Sequence, residues 1–230
     1  MATFVLIHCG FAGGWTWQAV AAQLRQTGHD VHTPTLTGLG ERAHLAHPDV
    51  DLDTHIQDIV GLIECEELDD IVLVGSSSGS MAMTGAAHRM AERIRELIYI
   101  DTLVPEDGQS WMDLMGPNVA PILLDVAEKY GDGWRVLRMD VQPPRWVAQP
   151  LRSVTQPFRG SNPAVQALPH TYIYCTAKPE GWFFGLGDVI ALAAEQYRQR
   201  GWRFREMATD HLPMLSAPQE LAALLDEMVS

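Results

Sequence analysis

Short apolar runs rich in β-branched residues alternate with longer amphipathic segments along most of the chain, and few folds accommodate such a pattern. TFVLIH (3–8) reads as a buried strand, and GWTWQAVAAQLRQTG (14–28) as a helix with apolar residues at Trp17, Val20 and Leu24. HDVHTPTL (29–36) reads as a second strand, and DLDTHIQDIVGLIECEEL (51–68) as a second helix with Ile56, Ile59, Val60 and Ile63 on one face. DDIVLVG (69–75) and RELIYID (95–101) supply the third and fourth strands, with SGSMAMTGAAHRMAERI (78–94) as the helix between them. HTYIYCT (170–176) and WRFREMA (202–208) are the fifth and sixth, separated by the helical DVIALAAEQYRQRG (188–201). APQELAALLDEMV (217–229) is a last helix. Alternation of this kind demands right-handed crossovers, hence a doubly wound, mostly parallel sheet of about six strands covered on both faces.

The rhythm breaks after residue 101. About 104–168 is rich in proline, tryptophan and methionine, with amphipathic patches WMDLMG (111–116) and NVAPILLDVAEKYG (118–131) but no clear strand. A stretch of that length is too long for a plain loop in a compact domain. It is expected to be a small helical cap inserted into a single α/β domain that spans residues 1–230.

Composition removes several classes of function. A net charge of −13 is unsuited to nucleic acid, whose phosphates require lysine and arginine. No apolar run approaches the ~18 residues of a membrane helix, and MATFVLIHCG lacks the basic start of a secretory leader. Cys9, Cys65 and Cys175 are odd in number and far apart, which suits neither a disulfide framework nor a zinc site. No metal and no cofactor is expected, and a cytoplasmic location is.

One stretch carries chemistry. VLVGSSSGSMAMTG (72–85) places three consecutive serines at the junction of the third strand and the following helix. Only Ser77 has glycine two residues away on both sides, at Gly75 and Gly79, which is the Gly-x-Ser-x-Gly pattern of a nucleophile elbow. A sharp turn there would lift a hydroxyl above the carboxyl ends of the strands, where open α/β sheets bind ligands. A serine needs a base. His211, in ATDHLPML (208–215), follows the sixth strand and opens on the same rim. An oxyanion hole requires two N–H donors; Ser78 supplies one, and Gly10, in the glycine-rich turn IHCGFAGGW (7–15), the other. TGLGER (37–42) lacks the third glycine of a dinucleotide motif and follows the second strand, not the first.

In these segments the chain resembles the α/β-hydrolase superfamily, most closely the esterase and hydroxynitrile-lyase group that includes plant methylesterases and bacterial relatives. FVLIHCGFAGGWTW (4–17), LTGLGERAH (36–44), DTHIQDIVGLIE (53–64), VGSSSGS (74–80), IYIDTLVPEDGQS (98–110) and DHLPMLSAPQEL (210–221) carry the resemblance. It implies a cofactor-free serine esterase with a small lid. The chain departs from the family at Cys9, where relatives carry glycine, and at Ser76, where they carry histidine or tyrosine. Plant relatives place the triad aspartate after the fifth strand, and here that position reads Ala177-Lys178-Pro179. Asp101, ending the fourth strand, is the preferred acid; Glu180 and Asp188 are the alternatives. Cys9, Phe11, Leu103, Trp111 and Leu212 are expected to border the substrate, with Trp15, Met112 and Met115 nearby. The expected partner is a small, largely apolar ester (a lactone or thioester is equivalent chemistry), with no nucleic acid, no membrane and room for a homodimer. Two other functions compete: a cyanohydrin lyase, disfavoured because Leu212 follows the histidine where that branch has lysine, and a ligand-binding protein of weak catalytic power.

Overall fold

The structure, a computed structural model, describes residues 1–138 and 144–229. Six parallel strands form the sheet: β1 (Thr3–Ile7), β2 (Asp30–His32), β3 (Ile71–Ser76), β4 (Ile94–Ile100), β5 (His170–Cys175) and β6 (Arg203–Met207). Their spatial order is β2-β1-β3-β4-β5-β6. The order reverses direction at β1, so the turns after β1 and β3 lie side by side, and a ligand crevice opens there.

Alternation along the strands builds two cores. Val5, Ile7, Leu73, Leu97, Tyr99 and Tyr172 face one side. Phe4, Leu6, Val72, Val74, Ile98 and Ile173 face the other. Helices α1 (Gln18–Gln26) and, at the chain's end, Pro218–Val229 cover the second face through Val20, Leu24, Leu221 and Leu225. The first face is covered by α2 (Leu52–Cys65) and α3 (Gly79–Arg89). A capping box starts α2: Asp51 accepts the Thr54 N–H at 2.9 Å while the Thr54 hydroxyl faces the Asp51 N–H.

β2 is shorter than the sequence suggests. Its last expected residues instead serve the neighbouring turn: the Leu36 N–H donates to His8 Nε2, and Thr35 Oγ1 accepts the Gly14 N–H. Pro34 lacks an N–H to extend the ladder.

Between β4 and β5 the chain adds α4 (Trp111–Met115), α5 (Ala120–Tyr130), α6 (Arg152–Thr155) and α7 (Ala164–Ala167). A two-residue antiparallel ladder joins Arg135–Val136 to Gln149–Pro150. Part of the expected cap, 139–143, lies outside the described residues. Gln156 fastens this insertion to the sheet-covering helices by accepting the Leu52 N–H at 2.8 Å. After β5, α8 (Trp182–Gln199) starts earlier than the apolar spacing predicts, through a left-handed kink at Phe183, Phe184 and Gly185. α9 (Pro213–Ser216) and α10, the Pro218–Val229 helix, complete the fold.

Candidate active site

The three serines occupy three different environments. Ser76 ends β3, fully buried, and its hydroxyl has no hydrogen-bond partner among the described residues. Ser77 has φ +52°, in the left-handed region, and its side chain lines an open cleft. Ser78 occupies the N-cap position of α3. A left-handed non-glycine residue costs of order 1–3 kcal/mol and persists only where its surroundings enforce it. Here Thr102 Oγ1 donates to the Ser77 carbonyl at 2.7 Å, and the Ser80 N–H donates to the same oxygen at 3.0 Å. Thr102 is itself held by Tyr172, whose hydroxyl accepts the Thr102 N–H and donates to its carbonyl. The Gly79 position excludes any side chain, and the Gly75 position is crowded. A Cβ on Gly79 would lie 2.1 Å from the His8 carbonyl oxygen, and one on Gly75 would lie 2.8 Å from Met83 Sδ. The pattern therefore exists so that the helix can start hard against the turn after β1.

That turn is fixed by His8. Its ring is fully buried, and burial lowers its pKa to about 4, so the imidazole is neutral. Nε2 accepts the Leu36 N–H at 3.1 Å, so Nδ1 carries the proton and donates to the Cys9 carbonyl at 2.7 Å. With Cys9 pinned, the N–H groups of Gly10 and Ser78 are unclaimed by any acceptor among the described residues. The next N–H, that of Phe11, is taken by Gln149 Oε1 at 3.0 Å. Phe11 is also left-handed, at φ +65°, and its carbonyl accepts the Val147 N–H at 2.8 Å. The Cys9 thiol borders the cleft, and burial raises its pKa to about 12.

Asp101 follows β4 directly, at φ +44°, with no solvent exposure. Its Oδ2 lies 2.7 Å from His211 Nδ1. A carboxylate facing Nδ1 fixes the proton there and leaves Nε2 as the free basic nitrogen. Oδ1 accepts the Cys175 N–H at 3.0 Å and the Lys178 ammonium at 2.6 Å. Glu180 and Asp188 are exposed and make no hydrogen bond to His211. Asp210 turns away, accepting the Leu212 N–H and the Ser216 hydroxyl. The Trp182 ring lies 4.4 Å from the His211 ring.

Ser77, His211, Gly10 and Ser78 open into one cleft, partly exposed to solvent. Cys9, Phe11, Trp111, Met112, Met115 and Leu212 line it. Leu103 does not. The Ser80 hydroxyl donates to its carbonyl beneath the elbow, and its side chain joins the core. Trp15 also sits outside the cleft, against Trp146 at 5.4 Å. Sequence reading missed Gln149, Trp182, Phe183 and Leu186, which line the cleft from the insertion and from the kink at the head of α8. None belongs to a motif. The one local hint available is an aromatic run beside glycines, WFFG (182–185). Among the described residues no cluster of side chains could hold a metal ion, and no helix is long and apolar enough to cross a membrane.

The family model described as the alpha/beta hydrolase family matches residues 4–224. The chain is 48% identical over 140 residues to the carbendazim hydrolyzing esterase of a Nocardioides strain. That match covers 61% of this chain and 57% of the esterase, so little more than half the relative's length is represented. Methylesterase 7 of Arabidopsis thaliana is 23% identical, with 98% of this chain and 95% of that protein covered. Among solved structures, an extracellular α/β-hydrolase from a Paenibacillus species superposes with a TM-score of 0.79, covering 99% of this chain and 98% of the other. At 21% identity, that likeness establishes the fold.

Proposed function

The chain belongs to the alpha/beta hydrolase family, and from that premise we propose that it is a serine esterase cleaving small, largely apolar esters through an acyl-enzyme. In this reading Ser77 is the nucleophile, His211 the general base and then acid, and Asp101 the carboxylate that orients the imidazole. Ser77 Oγ attacks the ester carbonyl as its proton passes to His211 Nε2. The resulting oxyanion is met by the Gly10 and Ser78 N–H groups. The imidazolium then gives its proton to the departing alcohol, and water, activated by the same nitrogen, frees the acid. The observation that carries this reading is the 2.7 Å contact of Asp101 with His211 Nδ1, on the rim of the cleft that Ser77 lines.

The apolar lining supports a small aromatic or aliphatic ester as substrate. The similarity to an esterase named for carbendazim makes that carbamate ester the first specific compound to test. The insertion of about 104–168 forms the lid of a single α/β domain in this proposal. Three widely spaced cysteines support a cytoplasmic location. The cyanohydrin-lyase reading is weakened by Leu212, an apolar residue where that chemistry uses a lysine to steady cyanide.

A fluorophosphonate probe tests the assignment. It is expected to label Ser77 and to abolish turnover of a short p-nitrophenyl ester, and Ser77→Ala should leave only the ~10³–10⁴-fold enhancement over water that the oxyanion hole and binding supply. Label on Ser76 or Ser78 would overturn the nucleophile. Binding of an ester without any turnover by the wild-type protein would favour the ligand-binding alternative.

A further inference from the structure

The Asp101 carboxylate faces two basic groups, and the mechanism above uses only one. His211 takes Oδ2, and the Lys178 ammonium takes Oδ1 at 2.6 Å. Lys178 is not a surface residue that happens to reach inward. Its side chain is 6% exposed, it also donates to the Cys175 carbonyl, and its nitrogen lies 4.4 Å from the centre of the Tyr174 ring. Its nitrogen is thus met by a carboxylate, a backbone carbonyl and a ring face, the partners a buried amine needs.

We propose that Lys178 is a positioning residue that acts through Asp101, keeping His211 in its free-base form further into acid than an aspartate alone would allow. The inference rests on the proposed triad. An unpaired buried carboxylate strongly favours a protonated imidazole, since opposite charges a few Å apart in a dry site attract strongly. A carboxylate already neutralised on its other oxygen favours it less. Protonation of Nε2 removes the base that Ser77 needs, so the ammonium widens the pH range in which the enzyme works. The same ammonium locks the carboxylate plane so that Oδ2 addresses Nδ1.

The other groups facing this pair leave Lys178 as the controlling charge. From β5, the Cys175 thiol is raised by burial to about 12, and burial likewise raises the Tyr172 and Tyr174 hydroxyls, so all three are uncharged at neutral pH. From α8, Trp182 presents an uncharged ring to His211, and Asp188, which acts on Tyr174, is exposed to solvent. From the loop before α9, Asp210 is exposed and directed at Leu212 and Ser216. Glu206 on β6 is exposed and paired with Arg198.

The test is the pH dependence of kcat/KM for p-nitrophenyl acetate. Lys178→Met and Lys178→Gln should move the acid limb to higher pH by about one unit or more, the effect of a nearby charge. Lys178→Gln can still donate a hydrogen bond, so a shift in both variants identifies charge as the cause. Lys178→Arg should leave the limb near its wild-type position. An unmoved limb in both neutral variants, with kcat lowered equally at every pH, would overturn the proposal and make Lys178 a structural anchor. If neither neutral variant folds, Lys178→Arg decides: it keeps the charge, so a limb displaced in that variant overturns the proposal. His211→Ala separates the two levels of inference. If that variant stays active, the triad itself is wrong; if it is dead while the Lys178 variants leave the limb unmoved, only the role of Lys178 fails.

Discussion

Gln149 Oε1 accepts the Phe11 N–H at 3.0 Å across 138 positions of sequence. The amide's other end donates to Ser153 Oγ at 2.6 Å, which in turn donates to the Pro150 carbonyl. Phe11 follows Gly10 directly and is held left-handed, so the insertion grips the turn that aims the Gly10 N–H. Gln149→Leu keeps the volume and removes the acceptor. The expected result is a kcat reduced about ten- to hundredfold, since a misaligned oxyanion donor loses stabilisation found only in the transition state. KM should change little. A rise in KM with unchanged kcat would make Gln149 a binding residue instead.

His8 should make stability depend on pH. Its folded pKa is near 4, against 6.5 when exposed, and burial is the main cause. Above 6.5 neither folded nor unfolded chain binds the proton. As pH falls from 6.5 to about 4, the unfolded chain binds it and the folded one does not, so stability is lost across that window, by on the order of 3 kcal/mol. His55, also lowered by burial, acts in the same direction. Thermal denaturation between pH 7 and 4 should therefore fall less steeply for His8→Gln than for the wild type. Parallel curves would show that His8 does not contribute to this linkage.

Residues 3–8, 72–85, 95–101 and 208–215 made the sheet, the left-handed Ser77 turn and the histidine loop legible, because each couples a period-two apolar run to a turn with a strict steric demand. Gly79 is readable as a requirement since nothing larger fits beside the His8 carbonyl. Asp101 was readable as an acid at the end of a buried strand. Lys178 was visible only as the wrong residue in the usual acid position; its role depends on a contact across 77 positions, which no local pattern encodes. Gln149 and Trp182 were illegible for the same reason. Leu103 was misread because apolarity next to a rim does not say which way a chain turns. The Ser80–Leu103 hydrogen bond pulls it beneath the elbow.

Cys9 borders the oxyanion turn, yet its thiol is held protonated by burial, with a pKa near 12. Thiolate, not thiol, is the reactive form. Iodoacetamide at pH 7.5 should therefore modify the exposed Cys65 first and leave the proposed esterase activity intact. Cys9→Gly should keep kcat/KM within about tenfold, roughly 1.4 kcal/mol of barrier. A loss as deep as that of Ser77→Ala would place the thiol in the chemistry.

Asp101 contacts both His211 Nδ1 and the Lys178 ammonium, and the proposed triad role and the ion pair separate in a double variant. Asp101→Asn removes the carboxylate that fixes the Nδ1 proton, and turnover should fall about 10⁴-fold, as in wrong-tautomer variants of serine hydrolases. It also strands a buried ammonium. Breaking such a pair costs several kcal/mol, so the melting temperature should drop by roughly 5–15 °C for a chain of this size. Adding Lys178→Met removes the stranded charge and leaves the amide facing an apolar side chain. Asp101→Asn/Lys178→Met should thus regain at least half of the lost melting temperature while its turnover stays as low as that of Asp101→Asn. Glu180→Gln and Asp188→Asn, both exposed and without a hydrogen bond to His211, should stay near wild type in both measurements. If the double variant recovers turnover together with stability, Asp101 is a structural counter-ion only. If Glu180→Gln or Asp188→Asn then proves inactive, the triad acid comes from the segment after β5.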